Sequence, residues 1–164
     1  MERLYSPWRS EYIAGFTEEK KKEGESLFTR IAGEKKDAKN LVLVRKTHCF
    51  VMLNLYPYNS GHLLIVPYRQ TAEMSDLTAE ECAEVLQTTA EMIDLLKKAL
   101  KPHGFNFGAN LGRVAGAGID DHIHFHIVPR WNGDVNFMPT IADTKVVSEA
   151  MRVTYQKLKK HLKK

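Results

Sequence analysis

The chain has 164 residues, enough for one compact domain and too few for two ordinary ones. Its 43% hydrophobic, 9% aromatic and 27% charged content exclude a disordered chain, and a formal charge of +4 favours an anionic ligand without demanding nucleic acid. No apolar run approaches the roughly 20 residues of a membrane-spanning helix, so no membrane partner is expected.

The N-terminal run from Met1 to Arg9 lacks the apolar stretch of a secretory signal. Two cysteines, Cys49 and Cys82, are too few for a disulfide scaffold and form no metal-type pair, which makes a reducing, cytoplasmic home the default. Residues 17–24 and 33–40 are charged and punctuated by glycine, as in turns or helix ends, and between them Leu27-Phe28-Thr29-Arg30-Ile31 reads as a short helical turn that buries something. Residues 41–45 and 49–54 are β-rich runs on either side of polar Lys46-Thr47-His48, the pattern of a hairpin. Loop chemistry at Pro57-Tyr58-Asn59-Ser60-Gly61 precedes a third strand over 62–66, stopped by Pro67. A fourth strand is expected over 105–111 and a fifth over 121–128, ended by Pro129.

Between the third and fourth strands lies a long helix over 78–100. Thr78 with Glu81 forms a capping box, and Cys82, Val85, Leu86, Thr89, Ile93, Leu96 and Leu100 recur at helical spacing. Lys97, Lys98 and Lys101 suit its negative pole, and Pro102 and Gly104 close it. A second amphipathic helix is expected from near Asp143 or Thr144, using Val146, Val147, Ala150, Leu158 and Leu162, with the basic run over 157–164 at its end. These elements predict an α+β fold: a largely antiparallel sheet of about five strands with one long helix and a C-terminal helix.

The chemistry concentrates in Asp120-Asp121-His122-Ile123-His124-Phe125-His126-Ile127-Val128. Side chains alternate along a strand, so His122, His124 and His126 share one face while Ile123, Phe125 and Ile127 fill the core. Imidazole titrates near neutrality and serves as nucleophile, proton donor or metal ligand. Such a row can be a hydrogen-bonded structural face, a zinc site, or a nucleotide site in which a neutral imidazole attacks phosphorus. The third reading is favoured by the small, Gly-rich loop ahead of it, Asn110-Leu111-Gly112-Arg113-Val114-Ala115-Gly116-Ala117-Gly118, whose backbone amides can approach phosphate oxygens. His62, opening another strand, is a candidate fourth member.

His122-Ile123-His124-Phe125-His126-Ile127-Val128 resembles the signature of the histidine triad (HIT) superfamily. Asn54 and Gly61-His62-Leu63-Leu64-Ile65-Val66-Pro67 resemble the family's upstream motif, so that the likeness spans roughly residues 25–131. Ser6-Pro7-Trp8-Arg9 and Pro129-Arg130-Trp131-Asn132-Gly133-Asp134 resemble a branch that includes diadenosine tetraphosphate phosphorylases. The resemblance implies a single HIT-like domain over 1–164, with extensions at 1–24 and 132–164, and a homodimer or higher homo-oligomer built through sheet and helix. It implies a nucleotidyl hydrolase or transferase acting at the α-phosphate of a dinucleoside polyphosphate (diadenosine tri- or tetraphosphate) or a related nucleotide such as an activated nucleoside monophosphate, an adenine nucleotide above all, through a covalent intermediate on His124. His126 would bond a phosphate oxygen or the leaving group, His122 would support the geometry, and His62 would orient its neighbours. Asn54 would contact the ribose, and Asn110 with the Ala117-Gly118-Ile119-Asp120 turn would contact phosphate. Trp131 is placed to stack on a base or pack on a partner, and Trp8 is read as structural. The alternative is a nucleotide-binding adaptor without turnover.

Two departures from the family pattern matter. Gly118-Ile119 stands where many relatives carry Gln-Ser or Gln-Thr, which shifts phosphate binding to backbone amides, with Arg113 as a substitute and Arg130 as a further clamp. Ser26-Leu27-Phe28-Thr29 stands where some relatives carry a zinc-binding Cys-x-x-Cys, and His48 with His122 alone make a poor zinc site, so no structural metal is expected. The chemical step needs no cofactor, while Mg²⁺ can accompany a polyphosphate substrate on its oxygens.

Overall fold

The computed structural model describes residues 24–134 and 149–162. Five strands form one sheet in the order β1-β2-β3-β5-β4, every neighbouring pair antiparallel. They are β1 (Val42–Arg45), β2 (Cys49–Leu53), β3 (Leu63–Pro67), β4 (Gly104–Ala109) and β5 (Phe125–Arg130). Three α-helices accompany them among the described residues: α1 (Leu27–Gly33), α2 (Ala79–Leu100) and α3 (Met151–Leu162). The α+β expectation therefore holds. None of these helices is long and apolar enough to cross a membrane.

The alternation of each strand divides the apolar side chains between two faces. Val51, Leu53, Leu63, Ile65, Ile123, Phe125 and Ile127 pack with Val85, Met92 and Leu96 of α2 and with Tyr155 and Leu158 of α3. The opposite face presents Val42, Phe50, Met52, Leu64 and Val66, which bury Phe28 and Ile31 of α1. Burying such side chains contributes about 1.5–3 kcal/mol each and is the main force that holds helices on both faces.

The capping box forms as expected: Thr78 Oγ accepts from the Glu81 amide and Glu81 accepts from the Thr78 amide. Helix α2 then runs 22 residues, about 33 Å at 1.5 Å per residue. Its closure differs from expectation, because Lys101 takes the left-handed position at φ 51° and Gly104 instead begins β4. Leu86, expected on the buried stripe, is 60% exposed, and Thr88, Met92 and Leu95 face the core in its place.

The strands are also offset from the expected spans. Residues 110–111 lie beyond β4, and β5 begins at Phe125 rather than at 121. His122, at a bend, and His124 therefore precede the ladder, and between them the Ile123 amide donates to Thr71 O at 2.6 Å. Pro67, expected to stop the third strand, is the last residue of β3, whereas Pro129, expected to end the fifth, lies inside β5 one residue before its end. Pairing of β3 with β5 covers only Leu63 to Ile65 against Ile127 to Phe125, so each proline sits where its strand has one partner and loses no donor that a second would need. The described part of the C-terminal helix begins at Met151. Its expected start near Asp143 or Thr144, with Val146 and Val147, lies outside the described residues, as does Trp8.

Gly61 opens β3 at φ +76°, and a Cβ there would lie 2.5 Å from Leu100 Cδ1. A left-handed backbone packed against α2 leaves only glycine, and this tight turn is what delivers His62 to the sheet.

Candidate active site

His126 pairs with Leu64 across β3 and β5, so its imidazole lies on the α1 face of the sheet, away from α2. Extended backbone carries the period-2 alternation upstream, and His124 follows, its ring centroid 5.0 Å from that of His126. His122 completes the row under α1: Phe28 touches both rings, at 5.5 Å to His122 edge-on and at 5.0 Å to His124. His124 and His126 are 7% and 8% exposed and form the floor of a cleft. Its walls are Phe28, Asn54, Tyr56, Tyr58, Asn110 and the loop atoms of Gly116, Gly118 and Ile119.

The hydrogen-bond partners fix which nitrogen carries each proton. The Tyr58 amide donates to His62 Nδ1 at 3.0 Å, and the Asn54 amide group approaches the same nitrogen at 3.3 Å. His62 is therefore protonated at Nε2, which lies 2.9 Å from His126 Nδ1 and donates to it. That leaves His126 with its hydrogen on Nε2, buried and without a partner among the described residues. His124 Nδ1 lies 2.9 Å from the carbonyl oxygen of His122, which can only accept, so the lone pair of His124 is on Nε2. His122 Nε2 donates to Pro67 O at 2.8 Å. The floor thus presents one nucleophilic nitrogen beside one N–H donor.

Burial keeps these rings neutral. It lowers His62 to about 3 and His126 to about 4, helped in each by the repulsion of neighbouring imidazoles. Burial likewise pushes His124 and His122 below the ordinary histidine value, against the hydrogen bonds to His122 O and Pro67 O. A neutral imidazole with an outward lone pair is what an attack on phosphorus requires.

The cleft gathers Asn54, Asn110, Gly118, Ile119, His124 and His126 of the expected residues, with His62 and His122 directly behind. Ala117, Asp120 and Trp131 do not line it. The Ala117 amide closes its own turn on Gly112 O, Asp120 accepts from Arg113, and the Trp131 amide donates to Asp134. Arg113 and Arg130 are likewise engaged, Arg113 with Asp120 and Arg130 with Asp134 and Asn106. The acidic residue ahead of the histidines is therefore neutralised by the arginine expected to replace the missing phosphate-binding side chains.

Four side chains of the cleft were not singled out from sequence: Phe28, Tyr56, Tyr58 and Leu64. The signal available for Tyr58 was its place four residues before His62, which puts its amide within reach of that ring.

The stretch that replaces Cys-x-x-Cys does not fit a structural metal. Gln70 Oε1 accepts from the Ser26 amide at 3.1 Å and from Thr29 Oγ at 2.7 Å, while Ser26 Oγ accepts from the Phe28 amide. Among the described residues no group of three or more His, Cys, Asp or Glu is arranged to hold a metal ion.

Comparison with known proteins gives the family and the fold. A family model described as HIT domain matches residues 35–133, which include His62 and the histidine row. An AP-4-A phosphorylase of Mycobacterium tuberculosis is 40% identical over 158 residues, covering 94% of this chain and 80% of the relative. A solved Zn-bound histidine triad family protein from Mycobacterium smegmatis superimposes with a TM-score of 0.68 at 23% identity, covering 85% of this chain and 94% of that one. Plasmodium falciparum diadenosine triphosphate hydrolase superimposes with a TM-score of 0.62 at 21% identity, covering 76% and 78%. At such identities the two structures speak to the fold.

Proposed function

The chain belongs to the HIT domain family as one of its enzymes, and we propose that it transfers the nucleotidyl group of a dinucleoside polyphosphate through a covalent bond to His124. The observation that carries this reading is the directed chain of hydrogen bonds from the Tyr58 amide through His62 to His126, which sets a buried N–H donor beside the lone pair of His124.

In the first step the Nε2 lone pair of His124 attacks the α-phosphorus, and the bond from phosphorus to the bridging oxygen breaks. The remaining polyphosphate departs as an anion whose oxygen receives a hydrogen bond from His126 Nε2. The nucleotidyl-imidazole carries a positive charge, which its Nδ1–H shares with the His122 carbonyl. In the second step an acceptor oxygen attacks the same phosphorus and the electron pair returns to Nε2. Splitting one displacement into two lets each proceed with a good leaving group.

The 40% identity to an AP-4-A phosphorylase supports inorganic phosphate as acceptor, with ADP as product, over water with AMP as product. Asn110 and the backbone amides of Gly118 and Ile119 hold phosphate oxygens, and Asn54 the ribose. The step itself uses no protein-bound metal, and Mg²⁺ enters on the oxygens of the substrate. The second edge of β4, unpaired among the described residues, where Phe107 is 43% exposed, supports a homodimer joined through this strand. Cys49 and Cys82 are free thiols, which suits a reducing cytoplasm.

The test is product identification. The protein is incubated with diadenosine tri- and tetraphosphate, with and without inorganic phosphate. ADP that replaces AMP only when phosphate is present establishes phosphorolysis; AMP under both conditions establishes hydrolysis. Binding of the nucleotide without any product would contradict the proposal and establish an adaptor.

A further inference from the structure

Among the described residues no Lys, Arg, Asp or Glu lines the cleft, and the two arginines nearest in sequence are held by carboxylates. A polyphosphate chain bound there meets neutral donors. His126 Nε2–H and the amides of Gly118 and Ile119 account for the oxygens around the scissile phosphorus. The phosphates beyond it, which leave with the second nucleoside, need a donor of their own.

Tyr58 stands where such a donor belongs. Its ring stacks on His126 with centroids 5.7 Å apart and an angle of 12°, and it touches His62 at 4.6 Å. His126 is the group that faces the departing oxygen, so a side chain layered on it flanks the path of the leaving group. The histidines form the floor, whereas Tyr58 is 46% exposed and rises to the rim. Its hydroxyl oxygen accepts a hydrogen bond from Asn110 Nδ2 at 3.2 Å. An accepted bond turns the hydroxyl's own hydrogen away from Asn110 and strengthens it as a donor. The loop that carries the ring is itself fixed. Asn59, buried beside it, donates to Pro129 O at 3.0 Å and to Asp134 at 2.8 Å.

We propose that Tyr58, steered by Asn110, is a specificity-determining residue that donates its hydroxyl hydrogen to a phosphate of the leaving group beyond the scissile bond. This rests on the nucleotidyl-transfer reading given above. The site therefore selects substrates in which the α-phosphate carries further phosphates over those with an uncharged ester group.

The test compares two substrates with the full chain and with Tyr58→Phe, which keeps the ring stacked on His126 and removes only the hydroxyl. One substrate is diadenosine tetraphosphate. The other is an adenosine 5′-monophosphate nitrophenyl ester, which has no phosphate beyond the first. One hydrogen bond to a charged acceptor corresponds to about a ten- to hundredfold effect. The ratio of kcat/KM for the tetraphosphate to that for the ester is expected to fall at least tenfold in Tyr58→Phe. Asn110→Ala should shift the ratio in the same direction by less. Equal losses on both substrates would overturn the proposal, because Tyr58 would then only support the histidines; so would an unaltered ratio with no loss on either. A wild-type chain that turns over neither compound would remove the nucleotidyl-transfer reading along with this one, which separates the two failures.

Discussion

His62 Nε2 lies 2.9 Å from His126 Nδ1, with the Tyr58 amide on the far side of the His62 ring. A main-chain N–H, which cannot ionise or rotate, thus decides that His126 offers a hydrogen to the cleft. His62→Ala removes that control and leaves His126 free to adopt the other tautomer. Loss of an orienting partner of this kind costs on the order of 10–100-fold. The expected result is a fall of that size in kcat with a smaller change in KM, read from steady-state rates on a dinucleoside polyphosphate.

Stability should depend on pH through the same rings. In the unfolded chain each histidine takes up a proton near 6.5, whereas in the fold His62 resists down to about 3 and His126 down to about 4. Between those values the unfolded state binds more protons, so stability is complete above pH 6.5 and is lost as the pH falls. Each of the two histidines contributes up to about 1.4 kcal/mol per pH unit within that window. Glu81 and Glu84 titrate below their ordinary value, Glu81 through its hydrogen bond from Arg69 and Glu84 because, against the upward push of burial, the His48 and Thr47 amides bond its carboxylate, so their loss begins only below about 4.5. Denaturant unfolding at pH 7.5, 6 and 5 is expected to show full stability at 7.5 and a decline through 6 to 5.

Phe28 carries two duties, since it fills the core under α1 and forms the wall behind His122 and His124. Phe28→Ala should destabilise the fold by about 3–5 kcal/mol, seen as a lower denaturation midpoint. Phe28→Leu, which keeps most of the volume, should recover most of the stability and separate packing from any effect on turnover.

Gln70 is exposed and remote from the floor, yet it holds the start of α1 by accepting from Ser26 and Thr29 and donating to Gly24 O at 3.0 Å. Arg45 secures the other end through the carbonyls of Ile31, Ala32 and Glu34. Gln70→Ala is expected to lower kcat several-fold by loosening Phe28, while Gln70→Glu, which still accepts both bonds, should rescue it. Failure of the glutamate to rescue would show that the acceptor oxygen is not what positions the helix.

The alternation through His122 to His126 and the Thr78 capping box were legible because each is a local pattern with one physical meaning. The triad face survives even though β5 begins at Phe125, because side chains alternate in any extended chain. Pro67 ends β3 as its sequence suggests, whereas Pro129 is tolerated inside β5 for a nonlocal reason, because β3 and β5 have stopped pairing with each other there. Leu86 was misassigned because helical spacing marks a stripe without saying how wide the sheet beneath it is. Phe28 reaches the cleft from α1 and Tyr58 from the loop before β3, both far from the histidine row in sequence, and Arg113 is lost to it through a pairing with Asp120 that composition does not encode.

The most direct test is whether His124 becomes covalently attached to a nucleotide. The protein is mixed with diadenosine tetraphosphate, quenched within the first turnover and analysed by intact mass and peptide mapping. The expected result is one nucleotidyl group per chain on His124, absent from His124→Ala, which still binds the nucleotide. An unmodified His124 throughout turnover, or full activity in His124→Ala, would contradict the account.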